Sequence, residues 1–121
     1  MIMLMQKDII LGYKKLEEMN DIKFPAVVSL RLFKFKKQLK ELFDWQAEEE
    51  RALFTEYGAT FEDGRLVMED QSKMNEFAEK INALAVIEHE DMNKIELPIG
   101  PFGEISMDDL ETLSNIIEFV E

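Results

Sequence analysis

Apolar positions recur along this chain at helical spacing in some stretches and in alternation in others, and the two periods sort it into elements. Met5, Ile9, Tyr13 and Leu16 step by four, four and three, which marks one face of a helix over roughly Gln6 to Met19, slightly weakened by Gly12. The preceding Met1 to Met5 is apolar but breaks at Gln6-Lys7-Asp8, so it is read as core-forming and not as a leader. Asn20-Asp21 reads as the stop. Ile22-Lys23-Phe24 is then extended, because a residue before proline is pushed out of the helical region, and Pro25 suits a first helical turn.

From Pro25 to Tyr57 no glycine or proline interrupts, and Val28, Leu32, Phe35, Leu39, Leu42, Gln46, Glu49 and Leu53 step by four and three. The spacing predicts one helix of roughly 33 residues, about 50 Å long, ended by Gly58 in a left-handed cap. A chain of 121 residues has an expected radius of gyration of about 14 Å, too small a body to cover such a rod. A second apolar set, Leu30, Phe33, Phe43, Trp45 and Phe54, falls outside the first stripe. A helix apolar on more than one side requires cover on more than one side, either from other elements or from a second copy of the chain. Phe33, Phe43, Trp45 and Phe54 are therefore the candidate interface residues.

The remainder is shorter-ranged. Asp63-Gly64 within Ala59 to Met68 is the pair a tight type I′ hairpin prefers, since both central residues need positive φ. Asp70 is placed to cap a helix carrying Met74, Phe77, Ile81 and Leu84 and ending near Ala85. Lys94-Ile95-Glu96-Leu97 alternates as a half-buried strand does, with Pro98 at its end. Ser106 with Asp109 three residues on resembles a capping box, and Leu110, Leu113, Ile117 and Val120 are expected on the inner face of a closing helix. The fold class is α+β, predominantly α: a long central helix, shorter helices packed on it, and a β-hairpin or small antiparallel sheet, in one domain over residues 1–121.

Composition narrows the function. The chain is 46% apolar and 33% charged, as a folded domain is, and no apolar run approaches the roughly 20 residues of a membrane helix. It has no cysteine and one histidine, His89, which excludes thiolate metal sites and cysteine nucleophiles. The net charge of −12 opposes binding to nucleic acid or anionic lipid. That charge is unevenly placed: residues 1–40 carry net +5 and residues 41–121 net −17. The sign reverses inside the long helix, where Arg31, Lys34, Lys36, Lys37 and Lys40 are followed by Glu41, Asp44, Glu48, Glu49 and Glu50, the candidate acidic surface. Pairs such as Lys37–Glu41 and Lys40–Asp44 support a helix, although base before acid is the less favoured order against the helix dipole. Two readings follow, a solvated face and antiparallel pairing of two copies that lays each basic half on the other's acidic half.

Catalytic motifs are missing. The glycines form no phosphate loop, the serines at 29, 72, 106 and 114 sit in no nucleophile elbow, and Glu48-Glu49-Glu50 point about 100° apart on a helix and cannot converge. Glu88-His89-Glu90-Asp91 is the one cluster of metal-capable side chains. In an extended segment neighbours alternate in direction, so it is expected to be an exposed polar stretch. The sequence thus assigns no catalytic, cofactor or metal residue.

The order of features is also informative as a whole. It runs from a short first helix through the Lys23-Phe24-Pro25 lead-in to a long helix closing on Glu49-Glu50-Arg51-Ala52-Leu53-Phe54-Thr55-Glu56-Tyr57-Gly58. A Glu62-Asp63-Gly64-Arg65-Leu66 hairpin, an Ile95-Glu96-Leu97-Pro98 strand and a closing Ile105-Ser106-Met107-Asp108-Asp109-Leu110 helix follow. This pattern resembles a family of small proteins of unknown function encoded by phages and prophages of Gram-positive and gut bacteria. The resemblance implies a viral protein acting in the host cytoplasm or in the virion, and implies no activity or site residue. The expected function is non-catalytic binding of a host or phage protein, as an acidic inhibitor or nucleic-acid mimic acting on a host defence protein. The second expectation is a virion or tail assembly component that forms a homodimer or higher oligomer through its long helix. Neither direct nucleic-acid contact nor a membrane is expected.

Overall fold

A computed structural model describes residues 3–121. Strand β1 (Met3–Met5) runs directly into helix α1 (Gln6–Glu18), and after an extended Asp21-to-Pro25 lead-in α2 spans Ala26–Tyr57 without a break. Gly58 closes α2 in the left-handed conformation, at φ 59° and ψ 37°. The hairpin β2 (Ala59–Glu62) and β3 (Arg65–Met68) turns through Asp63 at φ 52° and Gly64 at φ 78°, both positive as a type I′ turn demands. Asp70 accepts a hydrogen bond from the Ser72 amide and opens a short 3₁₀ turn into α3 (Met74–Ala85). Strands β4 (Glu88–Asn93) and β5 (Ile95–Pro98), helix α4 (Met107–Ser114) and strand β6 (Ile117–Val120) complete the chain. The fold is α+β and predominantly α. Met1 and Ile2 lie outside the described residues; Leu4, from the same apolar start, is buried.

Two local expectations are corrected. The closing helix stops at Ser114, and Ile117 and Val120 belong to β6, which pairs in parallel with β5 through Ile95↔Ile117 and Pro98↔Val120. The run Ile116-Ile117-Glu118-Phe119-Val120 is β-branched and aromatic, and the β5 ladder offers it backbone partners that override a marginal helical period. The segment from Glu88 is likewise not a free polar stretch. It forms β4, antiparallel to β1 with Leu4↔His89 and Met5↔Glu88, and His89 is half-buried.

Two hydrophobic clusters line one stripe of α2. The larger one packs Val28, Leu32, Phe35 and Leu39 against Ile9 and Leu16 of α1 and against Leu97, Leu113, Ile116 and Ile117. The smaller one, at the far end of the rod, joins Tyr57, Ala59, Met68 and Phe77, with Leu53, Phe54 and Ile81 packed on it. The inward period holds with one exception: Glu49 is exposed, and Glu50 is the residue that turns partly inward, accepting a 2.9 Å hydrogen bond from Gln46 Nε2. Gly12 permits close packing, since a Cβ there would stand 2.5 Å from Cδ1 of Ile116.

A buried polar joint fastens α1, α2 and β4 together. Gln6 is fully buried; its Nε2 donates to the Leu42 carbonyl at 2.9 Å, and its Oε1 accepts from His89 Nε2 at 2.5 Å. An amide oxygen only accepts, so the proton of His89 sits on Nε2. Burial lowers the His89 pKa from its ordinary value, against a smaller opposing pull from Asp91. The fold therefore favours neutral His89, and below the ordinary histidine pKa the unfolded chain binds the extra proton, so stability declines as pH falls through that value.

Leu39→Ala and Phe35→Ala are expected to cost about 2–5 kcal/mol each in urea unfolding, as core truncations. Gly12→Ala is expected to destabilise by about 1–3 kcal/mol through overpacking on Ile116, in spite of its better helix propensity. The melting temperature is expected to be lower at about pH 5.5 than at about pH 7.5, and His89→Gln should flatten that difference; an unchanged pH slope in the variant would assign it elsewhere.

Candidate functional site

The first third of α2 carries apolar side chains left exposed by the described residues. Val27, Leu30 and Phe33 are 71%, 54% and 62% exposed. They follow one another at steps of three along the side of the helix turned away from the core residues Val28, Leu32 and Phe35. Large side chains so exposed and so close together form a patch of the kind that marks an interaction surface. Arg31, Lys34 and Lys37, all exposed, flank it.

Beside this patch the extended 21–25 lead-in leaves a groove between the end of α1 and α2. It has a volume of about 240 Å³ and is lined chiefly by Leu16, Met19, Ile22, Phe24, Leu32 and Phe33. Phe33 also borders a neighbouring recess of about 360 Å³ whose other walls include Tyr13, Glu17, Lys36, Lys37 and Lys40. Lys36 spans that recess, pairing with Glu17 at 2.9 Å while its ammonium sits 6.0 Å from the centre of the Tyr13 ring. Lys36, and then Tyr13, hold the Glu17 carboxyl below its usual range. Lys37 lies over the Phe33 ring at 5.8 Å. The end of α2 nearest the groove is thus both apolar and positively charged, a combination suited to an acidic segment with apolar anchors.

Of the four aromatic residues singled out by the sequence, only Phe33 is exposed. Phe43 is half-buried with its ring 4.9 Å from that of Tyr13, and Phe54 is half-buried, stacked 5.4 Å from Phe77 and edge-on to Phe61. Trp45 is half-buried, perpendicular to His89 at 6.2 Å, and so covers the outer side of the polar joint. In the acidic set, Glu41, Asp44, Glu48 and Glu49 are exposed and Glu50 is half-buried. Asp44 pairs with Lys40 at 2.8 Å, an i,i+4 contact that raises the Lys40 pKa. Val27 is the member of the patch that sequence periodicity missed. It lies one position from the core residue Val28 and repeats with no stripe of its own; only its step of three to Leu30 and on to Phe33 signals a face.

Chemistry is sparse elsewhere. Among the described residues no three His, Asp or Glu side chains gather into a group able to hold a metal ion. No described helix is long and apolar enough to cross a membrane.

Because Leu30 and Phe33 are exposed, Leu30→Asp and Phe33→Asp are expected to shift unfolding free energy by no more than about 0.5 kcal/mol. Phe43→Ala, which strips the cover from Tyr13, is expected to lose several times that. Chemical denaturation of the three variants separates surface from core.

No family model, curated protein or solved structure matches this chain.

Proposed function

We propose that the protein works by non-catalytic contact with another protein, through the face of α2 that carries Val27, Leu30 and Phe33. The observation that supports this most directly is their exposure, side by side, on a regular helix beside a groove. A rigid helix presents such anchors at low entropic cost to the partner that receives them. The basic residues around the patch add orientation and speed of encounter more than affinity, because exposed charges are hydrated and screened. A small phage or prophage protein fits this mode of action in two forms, an acidic inhibitor occupying a host defence protein and a self-assembling component of the virion or its tail. The reversal of charge along the same helix favours the assembly form.

A photo-crosslinking amino acid at position 33, introduced into the full chain in the cell that makes it, is expected to give a covalent adduct with a protein. The same group at exposed Thr60 on the hairpin should give none. Equal labelling at both positions, or none at 33, would remove this face from the function.

A further inference from the structure

The outer side of α2 presents more than its apolar end. Exposed residues continue at steps of four and three from Leu30 through Lys34, Lys37, Glu41, Asp44 and Glu48 to Ala52 and Thr55. The stripe faces away from α1, the hairpin and α3, all of which pack on the inward residues. In chain order it reads apolar, two bases, three acids, then small side chains. Among the described residues, Arg31, Lys34, Lys37, Glu41, Glu48 and Glu49 make no ion pair within the chain. The Lys40–Asp44 pair is solvent-exposed on both sides and free to exchange.

This order complements itself when reversed. If a second α2 is laid antiparallel with its two-fold axis near residue 41, Lys34 of each chain meets Glu48 of the other. Lys37 meets Asp44 and Leu30 meets Ala52, each within about one residue of register, while Glu41 lies on the axis beside its own copy, with Lys40 of each chain next to the pair to offset the like charge. Lys34 and Glu48 are equally far from the axis, about 10 Å on either side at 1.5 Å per residue. A two-fold axis of this kind brings same-edge residues together, so Phe33 falls beside Arg51 along one edge and Arg31 beside Glu49 along the other, within a helical turn. A parallel arrangement would set Lys34 on Lys34 and Glu48 on Glu48. An antiparallel pair centred on the apolar patch would bring Lys34 and Lys37 towards Lys23. Charge therefore selects the antiparallel arrangement. Of the registers that pair Lys34 and Lys37 with acids, the one centred near 41 also covers Val27 and Leu30 with the small side chains Thr55 and Ala52 at the far end of the partner's rod, where an axis near 39 would set Arg51 and Glu48 on them.

From this complementarity we infer that the occupant of the docking face is a second copy of the chain, in an antiparallel α2–α2 dimer centred near Glu41. The inference rests on the protein-docking reading above and names its partner. Such a dimer is held in register by exposed ion pairs, so its affinity falls as salt rises.

The test is sedimentation velocity of the full chain over a range of concentration and salt, with two charge-reversed variants. Wild type is expected to move from monomer to dimer with concentration, at lower concentration in low salt. Lys34→Glu/Lys37→Glu makes every charge of the stripe acidic, and Asp44→Lys/Glu48→Lys makes every charge of it basic except Glu41 at the axis. Each alone should self-associate roughly tenfold more weakly or worse, and an equimolar mixture should restore a dimer, because all four reversed pairs are again opposite in sign. The substitutions are at exposed positions, and circular dichroism of each variant, expected to match wild type, checks that it folds. Wild type that stays monomeric at every concentration, variants that dimerise as wild type does, or a mixture that fails to recover would each overturn the inference. A monomeric wild type whose position-33 crosslinker still captures a different protein overturns the dimer and leaves the docking face standing; absence of both signals overturns the two together.

Discussion

The structure depends on one constraint: α2 is an uninterrupted helix of 32 residues, and the other described elements pack along one side of it. Its inward stripe serves two separate clusters, with Val28 to Leu39 in the larger and Leu53 to Tyr57 in the smaller. Between them the interior is polar, with Gln6 bonded to the Leu42 carbonyl and to His89, and Gln46 bonded to Glu50. A helix that anchors two cores cannot bend without disrupting one of them. The rigidity of the outer stripe is therefore a by-product of how the inner one is used.

Electrostatics follow the same geometry. Positive side chains gather where α1 and α2 meet, and there Glu17 and Asp109 neutralise Lys36 and Lys15, at 2.9 and 2.8 Å. Asp109 shows how a local motif is turned to tertiary use. Ser106 caps α4 by accepting from the Asp109 amide, but the Asp109 carboxylate reaches across to Lys15 of α1, which holds that carboxyl below its usual range. Further along α2, apart from the exposed Lys40–Asp44 pair, the bases and acids of the outward stripe make no ion pair among the described residues, and their charge remains available to a partner.

Much of this was legible in the sequence because it is local. The uninterrupted α2, its Gly58 cap, the Asp63-Gly64 turn, and the Asp70 and Ser106 caps each follow from a few neighbouring residues with strict conformational demands. The strands β1, β4 and β6 did not, since each is only a few residues long and is defined by a partner far away or newly formed. Ile117 and Val120 fit a helical period and a strand equally well until β5 stands beside them. The candidate face was legible in part. Phe33 stood out, but whether it, Phe43 or Phe54 would be covered depended on where Tyr13 and Phe77 came to rest, which no local pattern encodes.

The pairing of strands also has a kinetic side. The smaller cluster is assembled from the end of α2, the hairpin and α3, a nearly continuous stretch, so its contacts close short loops. The larger cluster needs β1 brought to β4 and β6 brought to β5, two consecutive strands that between them secure both ends of the described chain. Leu4 reaches His89 only after most of the sequence has been looped back, and contacts so distant in sequence form slowly. The acidic tip of the rod is thus built from contacts close in sequence, whereas the larger cluster at the other end combines the local α1–α2 packing with strand pairings that span most of the described chain.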